Sequence, residues 1–124
     1  MRVITALTAI LMVPSLLCGE RAKPPRTMTF LATAHSQKGK TASGTRSRVG
    51  TVAADPRVLP LGSRIRVIGA GKYSGEYKVV DTGALVKGRH IDVFMRSAAE
   101  ARRFGKKRVR VQLLASGVTE AKLR

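Results

Sequence analysis

The stretch "VVDTGALVKGRHIDVFM", residues 79–95, decides the fold because it joins two predicted strands through a loop that contains two glycines. Residues 76–81 predict the strand before the loop and residues 91–95 predict the strand after it, since both are short and rich in β-branched or aromatic residues. Two of the three aspartates in the chain, Asp81 and Asp92, stand eleven positions apart at the two sides of this loop. The question is what these acids do in a strongly basic chain.

Asp92 is the more informative of the two acids because it interrupts a hydrophobic strand, where aspartate is disfavoured. Successive side chains of a strand alternate between its two faces, so Ile91, Val93 and Met95 should face one way. Asp92 and Phe94 should then face the other way. A carboxylate that faces the interior of the domain or a groove must find polar partners or keep its proton.

Further short strands are expected on both sides of this stretch, because apolar and polar residues alternate between turn signals rich in glycine, proline and serine. They cover residues 28–35, 49–54, 63–69 and 106–114. Together with one short helix and only 3 Phe and 2 Tyr, this pattern predicts an all-β domain, either a small barrel or a sandwich. No internal repeat is visible.

The predicted helix occupies "SAAEARRFG", residues 97–105. Ser97 followed three residues later by Glu100 is a capping box, and Gly105 supplies a helix stop. The last strand follows directly, with Val109, Val111 and Leu113 expected inward, as the alternation indicates.

The first residues are predicted to lie outside the domain. Residues 1–19 contain one arginine near the start and an apolar run that is short for a membrane span, which is typical of a secretory signal peptide cleaved near Gly19. An uncleaved anchor is the alternative, and lipidation at Cys18 ranks below simple secretion because Leu17 is large. Residues 20–28 then form a linker, and residues 116–124 a C-terminal tail.

The charge of the chain limits its partners. With 24 Lys and Arg against 7 Asp and Glu, the formal net charge is +17. Such a surface attracts anionic wall polymers, a membrane surface or nucleic acid. Export weighs against a dedicated nucleic-acid partner, and five aromatic residues without a stacking platform weigh against it too.

Four segments, taken in order, resemble the 3D domain family, which is named for three aspartates: "KTASGT" (40–45), "VAADPRVLPLGSRIRV" (52–67), "VVDTGALVKGRHIDVFM" (79–95) and "EARRFGKKRVRVQLL" (100–114). The resemblance covers residues 29–114 and implies a six-stranded double-psi β-barrel with one short helix, assigned to residues 29–115. The family shares this barrel with the catalytic domain of membrane-bound lytic murein transglycosylase A and, more distantly, with rare lipoprotein A.

This resemblance implies a lytic transglycosylase, which cleaves the bond between N-acetylmuramic acid and N-acetylglucosamine and leaves a 1,6-anhydro end. The substrate supplies the nucleophile, so one carboxyl group can make both proton transfers. The family match assigns that role to Asp92, with Asp81 holding Asp92 or a sugar hydroxyl. Asp55 is expected at the edge of the site, in a structural or substrate-orienting role. Taken alone, Asp55 and Asp81 are also ordinary turn-forming aspartates.

Other residues of the family motifs are expected to bind substrate: Thr41, Ser43, Thr82, Gly83 and Lys87. For Thr41 and Ser43 a hydrogen-bonded loop that closes the barrel is an equally good reading, because Ser and Thr often stabilise their own turns. Ala84 stands where the family has a second glycine, so a positive φ there would strain the loop. Neither a cofactor nor a metal is expected, since His35 and His90 are isolated.

The proposed acid role of Asp92 requires a raised pKa. To keep its proton near neutral pH, Asp92 needs a pKa raised by about two units. We expect burial beside Phe94 and repulsion from Asp81 to supply this rise against the cationic surroundings. If the shift fails, the alternative is a non-catalytic peptidoglycan-binding module of the cell envelope. In either case we expect a monomer that contacts glycan strands in the periplasm, the envelope or the extracellular space.

Overall fold

A computed structural model describes residues 26–117 of the chain. Over this range six strands form: β1 (Thr27–His35), β2 (Thr51–Ala54), β3 (Arg64–Ile68), β4 (Gly75–Thr82), β5 (His90–Phe94) and β6 (Lys107–Ala115). A short α-helix, α1 (Ala98–Phe104), connects β5 to β6. Each element overlaps a segment that the sequence pattern predicts, and their order is the predicted one.

The six strands close into a barrel in the order β1-β5-β2-β4-β3-β6. The pairs β1–β5 and β2–β4 are parallel, whereas the four other pairs are antiparallel. Parallel partners need a crossover connection, so the chain passes other strands before it returns to each partner. The order therefore places β5 between β1 and β2, and the predicted all-β double-psi barrel with a short helix is confirmed.

The core of the barrel is formed by apolar side chains that the strands bury. Ile91 and Val93 of β5, Phe30 and Ala32 of β1, and Ile65 of β3 are all nearly inaccessible to solvent. Alternating apolar and polar residues, and β-branched side chains, both favour a strand that is buried on one face. In this barrel the face turned inward is apolar. The same alternation sends Asp92 to the outer face of β5.

Helix α1 begins as the capping box predicts, but only half of the box forms. The Ser97 hydroxyl accepts a hydrogen bond from the Glu100 backbone N–H at 3.1 Å. The Glu100 carboxylate instead accepts from the Tyr73 hydroxyl at 3.1 Å, which ties the helix to the turn before β4. Gly105, at a φ of 66°, ends the helix after the buried Phe104.

A β-bulge in the parallel pair β2–β4 positions the first of the two loop aspartates. Val52 lies opposite Val79, but the next residue, Ala53, lies opposite Asp81, so Val80 has no partner in β2. The extra residue shifts the register of β4 by one position. Asp81 thus lies level with Ala53 at the end of β4.

The described residues start inside the predicted linker. Strand β1 begins at Thr27, two residues before the predicted start of the domain. The predicted signal peptide and most of the tail lie outside the described residues. Within residues 26–117, no helix is long and apolar enough to cross a membrane.

Candidate active site

The strand register brings four residues from four strands into one row on the outside of the barrel. Asp92 of β5 lies between Thr33 of β1 and Ala53 of β2. Ala53 in turn lies next to Asp81 of β4. Because neighbouring strands are about 4.8 Å apart, the backbones of the two aspartates are roughly 10 Å apart, with a single small side chain between them.

Three residues of this row, Asp92, Ala53 and Asp81, line a cavity of about 480 Å³, whereas Thr33 does not. Both Asp81 and Asp92 lie in its wall, and so do Thr82 and Gly83 from the loop after β4. The remaining wall consists of the end of β1, the loop that follows it, Ala53 and Val86, and contributes His35, Gln37, Lys38, Gly39, Lys40 and Ser47. The two aspartates that the sequence separates by eleven positions therefore face one space.

Asp92 has a different partner on each carboxylate oxygen. The Thr33 hydroxyl donates to Oδ1 at 2.9 Å. Nδ1 of His35 lies 2.9 Å from Oδ2, although its in-plane N–H does not point straight at that oxygen. Thr33 Oγ1 is also 2.8 Å from Nε2 of His90. If Thr33 gives its proton to Asp92, His90 must donate to Thr33, which defines the His90 tautomer.

The electrostatics of this cluster reverse one expectation. Burial tends to raise the pKa of Asp92, but the hydrogen bond and charge of His35, with the Thr33 hydroxyl and the charge of His90, together hold that pKa below its ordinary value. The predicted rise in the Asp92 pKa is therefore wrong. The cause is His35, whose own pKa is raised, chiefly by its hydrogen bond to Asp92, although burial opposes the rise.

Asp81 lines the same cavity but is held by backbone groups. Its Oδ1 accepts from the Ala42 N–H at 3.0 Å and from the Thr82 N–H at 2.9 Å. The neighbouring Ser43 N–H donates to the carbonyl of Val80, the extra residue of the bulge, at 3.0 Å. The carboxylate thereby fixes the loop of residues 39–46 against the end of β4.

The third aspartate is placed differently. The Asp55 side chain is buried, and its two oxygens accept from the Arg57 guanidinium at 3.0 and 2.8 Å. It also accepts from the backbone N–H groups of Arg57 and Gly88. The Arg57 guanidinium and these amides hold its pKa far below the usual range. Asp55 is absent from the cavity wall, so of its two expected roles the geometry favours the structural one.

The other predicted binding residues divide into two groups. Thr82 and Gly83 line the cavity, whereas Thr41, Ser43 and Lys87 do not. Thr41 is buried, and its hydroxyl donates to the Thr45 carbonyl at 2.7 Å and lies 3.0 Å from the Ser43 hydroxyl. These bonds fit the loop-closing reading of both residues. Lys87 is exposed.

Position 84 is unstrained. Among the described residues no residue other than glycine has a positive φ, so Ala84 adopts an ordinary conformation. The close approach in this loop occurs one residue earlier, where Gly83 lies against Val86.

Sequence reasoning missed His35 and Thr33 as partners of Asp92. Both lie on β1, 57 and 59 positions away from Asp92 in the chain, and only the parallel pairing of β1 with β5 brings them together. It also missed Lys38 and Lys40, which belong to the cavity wall. In the sequence these two lysines look like any others in a basic chain.

The profile of the 3D domain matches residues 50–115, which is more than half of the chain. The chain belongs to the 3D domain family. The three aspartates, the bulge at Asp81 and the cavity all lie within or beside this matched region.

Two relatives of this 3D domain come from Bacillus subtilis (strain 168). A protein named for cell wall shaping, YabE, is 35% identical over 99 residues, which take in 72% of this chain and 23% of YabE. The cell wall-binding protein YocH is 44% identical over 63 residues, 51% of this chain and 21% of YocH. The chain thus spans less than a quarter of the length of either relative.

Solved structures of the lytic transglycosylase MltA from Escherichia coli share the fold. One superimposes with a TM-score of 0.53 at 20% identity, over 65% of this chain and 28% of MltA. A second, with bound chitohexaose, gives a TM-score of 0.53 at 18% identity, over 64% of this chain and 28% of that one. At this level of identity the match establishes the barrel fold and nothing about the reaction.

Proposed function

We propose that this 3D domain is an exported lytic transglycosylase that cleaves the β-1,4 bond between N-acetylmuramic acid and N-acetylglucosamine in peptidoglycan. The 6-hydroxyl of the muramic residue attacks its own anomeric carbon, so a 1,6-anhydro end forms and no water is consumed. The observation that carries the proposal is the single cavity that Asp81 and Asp92 share on the outside of the barrel.

The proposed chemistry needs one carboxyl group that acts twice. Asp92 first protonates the departing glycosidic oxygen and then accepts the proton of the attacking 6-hydroxyl. Its position in the middle of β5, on a rigid strand rather than a loop, suits a group that must meet both oxygens in turn. Asp81, held by two backbone amides, orients a sugar hydroxyl across Ala53 from the reacting bond.

The cations in the cavity wall support a glycan that carries negative charge. Lys38 and Lys40 stand in the wall beside the two aspartates. Muramic acid carries a lactyl group that ends in a carboxylate or in a peptide with its own carboxylates. A lysine that faces such a group stabilises the bound glycan, whereas neutral chitin-type chains gain nothing from it.

The proposed location is the cell envelope. The apolar run in residues 1–19 supports export, and the relatives named for wall shaping and wall binding support the same compartment. The glycan strands of the wall are then the partner, and anionic wall polymers or the membrane surface are further candidates because the net charge is +17.

Digestion of purified sacculi tests the proposal. The full chain should release anhydro-muropeptides, which mass spectrometry recognises as water-loss products. Asp92→Asn should lower their rate of formation by at least about a thousandfold, because an amide cannot donate and recover the proton. Glu76→Gln is the matched control, since Glu76 is an exposed acid that pairs with Arg64 and Arg66 away from the cavity. If the unmodified chain releases no anhydro products at any pH, the proposal is wrong.

A non-catalytic wall-binding module is the second candidate. The lowered pKa of Asp92 favours it, because an acid that is ionised at neutral pH has no proton to give. The same sacculi distinguish the two: a binding module sediments with them and releases no anhydro product. An enzyme releases product, and Asp92→Asn keeps the binding while it loses the product.

A further inference from the structure

The contact between His35 and Asp92 deepens the proposed function, on which it rests. We propose that His35 is a positioning residue that holds the catalytic proton, gives it to Asp92 when substrate is bound and takes it back at the end of each turnover. The acid of this site is then a pair rather than a single carboxyl group.

The geometry provides a direct route for the proton between the imidazole and the carboxylate. Oδ1 of Asp92 is occupied by the Thr33 hydroxyl at 2.9 Å, whereas Oδ2 lies 2.9 Å from Nδ1 of His35, whose N–H must turn toward that oxygen for the transfer. The Phe94 ring and the imidazole form a T-shaped contact, with the ring centroids 5.7 Å apart, which limits the movement of the imidazole. His35 and Phe94 are also register partners in the parallel pair β1–β5, so the imidazole is held beside the carboxylate by two strands.

The charges that face the pair favour a single shared proton. Asp81 on β4 and Asp92 on β5 both raise the pKa of His35. His90 on β5 reaches the pair through Thr33, and Lys38 and Lys40 from the loop after β1 line the same cavity. The two lysines disfavour a second proton, while the two carboxylates disfavour the loss of the first. The resting pair is therefore imidazolium with carboxylate, and it titrates as a unit.

Each turnover leaves the number of protons unchanged. His35 Nδ1 transfers its proton to Asp92 Oδ2, and Asp92 passes it to the glycosidic oxygen as the bond from that oxygen to the anomeric carbon breaks. The 6-hydroxyl oxygen forms its bond to the same carbon and releases its proton to Asp92, which returns it to His35. A bound sugar that excludes water favours the first transfer, because a neutral pair is easier to desolvate than an ion pair.

The proposal sets the direction of the pH dependence. The pair is competent while it holds its proton, so activity should fall as pH rises through the raised pKa of His35, above the ordinary value of 6.5. Asp92 without His35 would lose its proton at a lower pH. The alkaline limb of the rate profile therefore reports the shared proton of the His35–Asp92 pair, not that of an isolated Asp92 carboxyl group.

Proton NMR tests the pairing without any assay of activity. The chain contains two histidines, so two titrating Hε1 signals are expected, and the one that disappears in His90→Gln identifies His90. The pKa of His35 should lie above 6.5 in the unmodified chain and fall in Asp92→Asn, because the main cause that raises it is then lost and only the charge of Asp81 still opposes burial. A His35 pKa that Asp92→Asn leaves unchanged overturns the proposal.

The rate profile tests the use of the proton. In His35→Gln the side chain can still donate a hydrogen bond to Asp92 but carries no titrating proton. We expect anhydro-product formation at pH 7 to drop by about tenfold or more, and to recover to within about threefold of the unmodified chain near pH 5, where Asp92 is partly protonated by solvent. A loss that is equal at both pH values means a structural role only and overturns the proposal.

Glu76→Gln serves as the control for the profile. It removes an exposed acid that pairs with Arg64 and Arg66 away from the cavity, so its alkaline limb should stay where that of the unmodified chain lies. If instead no variant and no unmodified chain forms product, the proposed function fails, and the NMR titration alone still decides whether His35 and Asp92 share a proton.

Discussion

At the scale of single residues, Asp55 and Asp92 show how partners give the same side chain different tasks. Asp55 is buried and takes an arginine fork and two backbone amides, none of which gives up a proton at ordinary pH. Asp92 takes a histidine and a threonine hydroxyl, through which a proton can move. Asp55 is therefore suited to hold the loop of residues 83–88, and Asp92 to acid–base chemistry.

Asp55→Asn should destabilise the barrel at neutral pH and lower its melting temperature by several degrees. A shift of about this size is expected when a domain of this size loses a buried ionic interaction. The pKa of Asp55 is depressed in the folded state. The stabilisation by its carboxylate is therefore present above the unfolded pKa of about 3.9 and disappears as pH falls through the folded value. Urea unfolding of both chains at pH 7, 4 and 2 checks this sign. The difference in unfolding free energy between the two chains should become smaller at acid pH. A difference that does not depend on pH would show that the charge of Asp55 is not the cause.

At the scale of elements, the loop between β4 and β5 is fixed at both ends. Near its start, a Cβ built on Gly83 would lie 2.5 Å from Cγ2 of Val86, whose side chain is buried. At its end, Gly88 has a φ of 68° and donates its N–H to Asp55 at 2.9 Å. Leu85, between them, is 89% exposed. Gly83 thus enters the cavity from a turn packed on Val86, directly after Asp81 and Thr82 at the end of β4.

Gly83→Ala should displace this loop, because Val86 is β-branched and has little rotamer freedom to move away. We expect binding to sacculi, and product formation where it occurs, to fall by about tenfold, with a loss of stability of about 1–3 kcal/mol. Gly83→Ala combined with Val86→Ala removes the overlapping methyl groups and should restore the binding. Equal losses in the single and double variants would show that the contact is not the reason.

At the scale of the whole molecule, the closed barrel separates an apolar interior from a strongly cationic exterior. The described surface carries its cations on several strands, as with Arg64 and Arg66 of β3, which share Glu76, and Arg108 and Arg110 of β6. Long-range attraction therefore comes from every side, but only Lys38 and Lys40 stand in the wall of the cavity that contains Asp81 and Asp92. General charge should set how fast anionic wall material is captured, and the two cavity lysines should set which glycan is held.

The double variant Lys38→Gln with Lys40→Gln should weaken binding of peptide-bearing glycan strands by about three- to tenfold and leave neutral chito-oligosaccharides unaffected. Arg108→Gln with Arg110→Gln removes the same charge from β6 and is the matched control. Calorimetry at about 0.05 M and 0.5 M salt provides the measurement, since the higher concentration shortens the Debye length to a few ångström and screens exposed charges. If both pairs weaken binding equally, the lysines act only through net charge.

Much of the fold could be predicted because its signals are local. Alternation in residues 91–95 and 107–113 indicates strands and correctly divides inward Val93 and Val111 from outward Asp92 and Arg110. Ser97 and Gly105 mark the two ends of α1, because caps depend on residues within one turn of the helix. The motifs that contain Asp55, Asp81 and Asp92 also indicate the family, and the matched family profile confirms it.

By itself, then, the sequence determined the strands, the helix, the family and the excess of positive charge, since each depends on composition or on neighbours within a few positions. Only the tertiary structure decided that Thr33, Asp92, Ala53 and Asp81 form one row, and that His35 reverses the expected pKa shift of Asp92. The physical reason is that register across parallel strands, and the bulge at Val80, depend on how the whole barrel closes. Contacts between residues almost sixty positions apart follow from that closure, and no local pattern contains them.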